Sequence, residues 1–407
     1  MSKRAIAENG AACYSQCISG KGVKCSMERI NKKEATARCW AEISLDTICE
    51  NYRWACEIAK TEVICVLKAN AYGMGATEVC RALKDSGAGW FAVASGDEAE
   101  ELLHEFPDIR ILILGLVGEA QAQRLAGKNV SFTLFSKEQG ERLRKVSKAV
   151  GEPLRVHIKA DTGLHRLGFP EETAAEEIVS LASSGCFCIE GLFTHLALRS
   201  PESDQRQFAS FENIRRELEK RKLSIPCMHM LDSIGMVRYP QYAMDAVRIG
   251  AWLYGVMPRN YEHPEHCRPV VRFCARIAQI HRIPTGEQVG YDNSHPLKRD
   301  SRIATLTAGY IDGVPRMTAG EVSVAGNRAP VVGVACMDQM MIDVTDIPEA
   351  GEGDEVCFLG DDIIVNEYAA WAGLNRNEAL GRIGRRVIRV YQWKGQEYCV
   401  RDTGCSF

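Results

Sequence analysis

The sequence has no apolar run near the roughly 18 residues that read as a membrane-spanning helix, and its net charge is only −3 over 407 residues. The first absence excludes a spanning helix. The second excludes the basic footprint of a nucleic-acid binder or a charged membrane-surface patch. Repeats, low-complexity tracts and long linkers are also missing. Cysteine, by contrast, is plentiful at 17 residues, yet no CxxC pair occurs. The count is odd and the residues are scattered, with Cys186 and Cys188 inside an apolar segment. They read as reduced, buried thiols of a cytosolic protein, with a zinc site at Cys13, Cys17 and Cys25 as the alternative. The stretch from Met1 to Thr36 lacks the apolar core of a signal peptide. It reads as a poorly structured leader on a cytoplasmic chain.

With 46% apolar residues, the chain can bury large cores and is long enough for two domains. Short apolar, β-branched segments recur at Glu62–Leu67, Trp90–Ala94, Ile109–Leu114, Val130–Leu134, Leu154–Lys159, Cys188–Thr194, Cys227–Leu231 and Ala246–Ile249. Helix-like stretches follow most of them, such as Thr77–Lys84, Asp97–His104, Lys137–Val150, Glu171–Ser183 and Asp204–Arg221. Eight βα units predict an α/β barrel, a TIM-like (β/α)₈ barrel over residues 37–267. After residue 267 short extended runs are separated by Gly, Pro and Asp, which predicts a mostly β domain over residues 268–407. The first strand, near residues 37–46, can join that second domain.

In such barrels the chemistry sits where strands end. The first barrel strand closes on Lys68, in Lys68-Ala-Asn-Ala-Tyr72-Gly-Met-Gly. Desolvation at a barrel rim depresses a lysine pKa, which suits an amine that must form a Schiff base.

Lys-Ala-Asn-Ala-Tyr-Gly-x-Gly resembles the cofactor-lysine signature of the alanine racemase family. Further matches follow in the family's order: Lys159-Ala-Asp-Thr-Gly-Leu-His-Arg166-Leu-Gly, Glu190-Gly-Leu-Phe-Thr-His195, Arg248-Ile-Gly-Ala-Trp-Leu-Tyr254-Gly, Val289-Gly-Tyr291, Gly309-Tyr310-Ile-Asp-Gly and Cys336-Met337-Asp338-Gln339. The resemblance implies an amino-acid racemase (an isomerase serving D-amino-acid biosynthesis) that depends on pyridoxal 5′-phosphate (PLP) and uses no metal. By the same resemblance Lys68 carries PLP and serves as one Cα base. Tyr72, Ser233 and backbone N–H groups near Ile249, Gly250 and Tyr254 form the phosphate cup. Arg248 faces the pyridine nitrogen and, since arginine keeps its proton, leaves that nitrogen unprotonated. His195 packs beside the ring.

Racemisation needs an acid/base group on each face of Cα. The resemblance assigns the second to Tyr291, reaching into a partner subunit's site, with Arg166 favouring its phenolate and Lys159 a candidate for carbamylation. Tyr310, Met337 and Asp338 then line the substrate pocket across the interface, which implies a homodimer. Four positions depart from the family pattern: Met74, His165, Asp292 and Arg385. Arg385 aligns with a pocket-wall tyrosine and matches the serine/alanine racemase branch related to vancomycin resistance in its Arg-Ile-Gly-x-Arg segment. Alanine or serine is therefore the expected substrate. An acidic amino acid held by Arg385 is the alternative. A decarboxylase of the same architecture fits less well, because such enzymes place a carboxylate opposite the pyridine nitrogen. A PLP-binding protein without catalysis would lack the C-terminal part.

Overall fold

The computed structural model describes residues 27–402 apart from 259, 292–295, 318 and 361. Cys13, Cys17, Cys25 and Asp292 therefore lie outside the described residues. Residues 27–35, part of the stretch expected to be poorly structured, form regular elements. Met27–Ile30 is a strand paired antiparallel with Gln396–Asp402, and Lys32–Ala35 is a helical turn capped by the Asn31 side chain. Nothing in Met-Glu-Arg-Ile alternates like a strand; its partner imposes the conformation.

Eight parallel strands close into a barrel: Glu62–Val66, Trp90–Val93, Arg110–Ile113, Val130–Leu134, Leu154–Asp161, Phe187–Phe193, Cys227–His229 and Ala246–Ile249. Closure comes from pairing of the last with the first, Arg248 opposite Ile64. Strand alternation sorts the side chains. Val63, Cys65, Phe91, Ile111, Ile113, Val156 and Ile158 point outward into the large core shared with the helices. Ile64, Val66, Trp90, Ala92, Leu112 and Ala246 point inward. The same inward phase brings buried polar groups inside, among them Ser131, Thr133, His157, Lys159, His229 and Arg248. Gly191 makes room for them, since a Cβ there would overlap the His157 ring.

The second domain is a six-stranded antiparallel barrel in the order Val271–Ile283, Ser301–Leu306, Met340–Asp343, Asn327–Val332, Glu321–Val324 and Glu355–Leu359, the last returning to the first. Its sheet continues outward through Cys39–Ser44, which lies antiparallel to Val271–Ile283 and parallel to Ile388–Trp393. The Ile388–Trp393 and Gln396–Asp402 hairpin then meets Met27–Ile30. Cys39–Ser44 and Val271–Ile283 are thus direct neighbours although the whole (β/α)₈ barrel lies between them in the chain. The same domain corrects the expectation that all thiols are reduced. Cys274 and Cys357, opposite each other on paired strands, form a disulfide across 83 residues of sequence.

Candidate active site

The site is built at the C-terminal mouth of the first barrel. Lys68 follows the strand Glu62–Val66 and opens a turn in which Ala69, Asn70, Ala71 and Tyr72 all have φ of 53–55°. Left-handed backbone costs non-glycine residues roughly 1–2 kcal/mol each, so this turn exists only because its surroundings hold it. The Glu98 carboxylate accepts from Ala69 N at 2.7 Å and from Ala94 N at 2.7 Å. The Asn70 side chain accepts from Ala76 N at 2.7 Å. The turn leaves Lys68 half-buried over the mouth. Burial, with the charges of Arg166 and Arg248, pushes its amine below the ordinary lysine range.

Opposite Lys68 lies a cup of donors. Asp232 caps the short helix Ser233–Arg238, and this presents the Ser233 hydroxyl, which accepts from Gly250 N at 3.1 Å and Trp252 N at 3.2 Å. The Tyr72 hydroxyl closes over Gly250, where a Cβ would stand 2.6 Å from it. Bare backbone, two hydroxyls and a nearby lysine make a cradle for an anion. The Tyr254 side chain lies beneath Tyr72. Its hydroxyl donates to Val66 O at 3.0 Å, and its buried ring supports that of Tyr72 at 4.8 Å. Trp252 N–H joins Gly250 N–H at Ser233.

Arg248 is buried in the centre of the mouth. Its terminal nitrogens donate to Thr194 O at 2.8 Å, Met230 O at 3.0 Å, His229 O at 3.2 Å, His195 Nδ1 at 3.2 Å and His229 Nδ1 at 2.7 Å. Burial lowers its pKa to about 10, which still leaves it cationic. An arginine cannot accept, so His229 Nδ1 is the acceptor. His229 Nε2–H then donates to His157 Nδ1 at 2.9 Å. Both rings are held neutral by burial beside the arginines, His157 near a pKa of about 3. His195, likewise kept neutral by burial and by Arg248, stands between that guanidinium and Asp232. His229 and His157 were not foreseen; the available signal was a single polar residue in phase with the inward face of an apolar strand.

Lys159 is 4% exposed. Its amine lies 4.9 Å from the Phe193 ring centroid. Burial, then Arg248 and Arg166, brings its pKa down from 10.5 to about 7. Arg166 itself is exposed at the rim.

The remaining expected residues lie on the β domain and face outward. Tyr291 is 82% exposed, Met337 53%, and Tyr310 and Ile311 are exposed beside them. Tyr310 N and Ile311 N donate to Cys336 O and Met337 O at 3.0 and 3.1 Å, tying the two loops together. Beneath them the fully buried Asp312 carboxylate accepts from Arg38 at 2.6 Å and Arg386 at 2.7 Å, and Arg386 also reaches Asp338 at 2.7 Å. The setting of Arg385 does not favour the acidic-substrate alternative. Its Nε faces Asp402 Oδ2 at 3.3 Å, and it shares a cleft with Glu101, so its charge is already answered by carboxylates of this chain.

Fold and site define a barrel enzyme whose mouth presents a desolvated lysine amine, an anion cup and a buried arginine, with an appended β barrel. Residues 43–258 match the family model for the alanine racemase N-terminal domain, and residues 270–391 that for the C-terminal domain. The chain belongs to the alanine racemase family. It is 34% identical to the alanine racemase of Methanococcus maripaludis, over 86% of this chain and 98% of that one. Identity to the Desulfovibrio desulfuricans alanine racemase is 36%, covering 86% and 97%. Among solved structures, the Bacillus anthracis alanine racemase with bound L-Ala-P superposes with TM-score 0.82 at 28% identity, covering 90% of this chain and 97% of that one. The Bartonella henselae alanine racemase with covalently bound pyridoxal phosphate gives TM-score 0.80 at 29% identity, covering 88% and 100%.

Proposed function

We propose that this protein interconverts L- and D-alanine with pyridoxal 5′-phosphate as cofactor, acting as a homodimer. The observation that carries the reading is the convergence of the Lys68 amine, the Ser233–Gly250–Tyr72 cup and the Arg248 guanidinium at one barrel mouth. These residues fit the cofactor. The Tyr72 and Ser233 hydroxyls beside the bare Gly250 backbone would suit its phosphate, with Lys68 for its aldehyde carbon, Arg248 for its ring nitrogen and His195 for its ring edge. When bound, PLP supplies an electron-withdrawing ring that acidifies the substrate Cα–H.

The chain's residues do the rest. The lowered pKa enlarges the share of Lys68 amine that carries no proton, so Lys68 would hold the cofactor and, once displaced by the substrate amine, its Nζ would take or return the Cα proton on one face. Tyr291 Oη of the partner subunit moves the proton on the other face. Arg166, exposed at the barrel rim, is the residue that would hydrogen-bond it across the interface. Arg248, which keeps its own proton, would give none to a ring nitrogen held against it. This limits electron withdrawal and favours return of the Cα proton over side chemistry.

An 82%-exposed Tyr291 beside exposed Met337, Tyr310 and Ile311 supports the dimer, since such an apolar patch is suited to docking. Lys159 supports a carbamylation site. A buried amine with a pKa of about 7 is nucleophilic toward carbon dioxide, and the product carries a negative charge near Arg166. Among the described residues no helix is long and apolar enough to cross a membrane, in keeping with a cytoplasmic enzyme. D-Alanine supply is the biosynthetic role this activity implies.

The test is to incubate the purified enzyme and PLP with each enantiomer of alanine in D₂O, reading α-deuteration by NMR and enantiomers by chiral chromatography. Exchange from both enantiomers is expected, lost in Lys68→Ala and confined to one enantiomer, without racemisation, in Tyr291→Phe. Exchange confined to another amino acid, or none at all, overturns the reading.

A further inference from the structure

The left-handed turn that carries Lys68 and Tyr72 belongs to the first barrel, yet its exit is gripped by the β domain. Gly73 O accepts from Arg389 Nη2 at 2.9 Å and from Nε at 3.3 Å. The next carbonyl, Met74 O, accepts from the Tyr391 hydroxyl at 2.9 Å. The fit leaves no slack. A Cβ at Gly75 would overlap that hydroxyl, and one at Gly73 would stand 2.7 Å from Leu380 O. Arg389 is 5% exposed. Its other hydrogen bonds go to Ile383 O, Gly384 O and Val387 O at 3.0, 2.8 and 2.6 Å, with a longer one to Arg385 O. Among the described residues no carboxylate lies within ion-pair reach of it. A buried guanidinium satisfied wholly by carbonyls of two separate segments is a clamp between them. Backbone strain persists only where its surroundings over-determine it.

We propose that Arg389 is a positioning residue for the racemase reaction: from the β domain it holds the Lys68–Tyr72 turn left-handed, and so fixes where the Lys68 amine and the Tyr72 hydroxyl point. The functional half rests on Lys68 being the cofactor lysine. The structural half does not.

The test uses Arg389→Lys, which keeps the charge but cannot fork to both segments, and Ala69→Gly, at an exposed position where glycine relieves left-handed strain. Hydrogen exchange at Gly73 N and Gly75 N, which donate back to Ala69 O and Asn70 O across the turn, is measured with PLP and after its removal. PLP dissociation constants, kcat and KM are measured alongside. Expected for Arg389→Lys are tenfold or faster exchange at these amides, PLP binding weakened at least tenfold, and kcat lowered at least tenfold with KM within threefold. Adding Ala69→Gly recovers most of the loss in kcat, which relief of strain explains and general stabilisation does not. Wild-type exchange and kcat in an Arg389→Lys enzyme that merely melts earlier overturn the proposal, as does a double variant no better than the single. If Arg389→Lys does not fold, Tyr391→Phe, which removes the donor to Met74 O, reads the same amides, and unchanged protection there overturns the β-domain grip. Failure to trap PLP on Lys68 with borohydride would refute the cofactor reading alone and leave the exchange result standing.

Discussion

Replacing Lys159 with methionine should make the protein more stable, and by an amount that depends on pH in a defined sense. The side chain is 4% exposed, and burial beside Arg248 and Arg166 lowers its pKa from 10.5 to about 7. A lysine whose folded pKa lies below its unfolded one destabilises the fold whenever it must be charged. The penalty is complete below pH 7, falls between pH 7 and 10.5, and is gone above that. At about 1.36 kcal/mol per pH unit, the drop from 10.5 to about 7 is worth about 5 kcal/mol below neutrality. The same arithmetic gives about 3 kcal/mol at pH 8 and under about 1 at pH 10. Methionine fills similar space without a charge, so Lys159→Met removes the penalty. Urea midpoints of both proteins at pH 6, 8 and 10, at one protein and PLP concentration, measure it. A stability difference that does not shrink from pH 6 to 10 refutes the burial argument. Bicarbonate should raise the wild-type midpoint and leave Lys159→Met unmoved; no response in either refutes carbamylation.

Three further outcomes follow from geometry already described. Gly250→Ala places a methyl 2.6 Å from the Tyr72 hydroxyl, and an absorbance titration should find PLP bound at least tenfold more weakly with little change in melting temperature. Asp312→Asn should cost about 2 kcal/mol in a urea titration, low for a broken buried pair because Arg38 and Arg386 both reach water. Burial alone would raise the Asp312 pKa, but bonds from both arginines hold it below the usual carboxylate range. Its stabilisation is therefore present above about pH 4 and lost as pH falls through the folded value, so the variant's acid limb should flatten. Tyr291→Phe should melt with the wild type, since it keeps the ring and removes one hydroxyl, while racemisation is lost and α-proton exchange persists from one enantiomer only.

The eight barrel strands were legible because strands buried on both faces are short apolar runs. Each falls within two residues of its expected position. Lys68 was legible as a cation closing such a run. Met27–Ile30 was not, because pairing with Gln396–Asp402 creates it, and the hairpin that holds Gln396–Asp402 had itself gone unrecognised. Missing the hairpin also misdirected Arg385, whose partner Asp402 lies on it. His157 and His229 are 72 residues apart and become neighbours only when the barrel closes. The left-handed turn at Ala69–Tyr72 had no local cue, for it contains no glycine and its conformation is dictated by partners far along the chain.

That distance along the chain has a consequence for synthesis. Domains generally fold as they emerge, N-terminal parts first. Here the strand Cys39–Ser44 must wait for Val271–Ile283 and Ile388–Trp393 before its edges are paired. The barrel can therefore close on the ribosome while the donors to Gly73 O and Met74 O, Arg389 and Tyr391, are still to be translated. Lys68 is laid down among the first residues of the barrel, but the donors to its turn are among nearly the last, so on the proposal above a nascent or C-terminally truncated chain would carry this lysine without its final alignment.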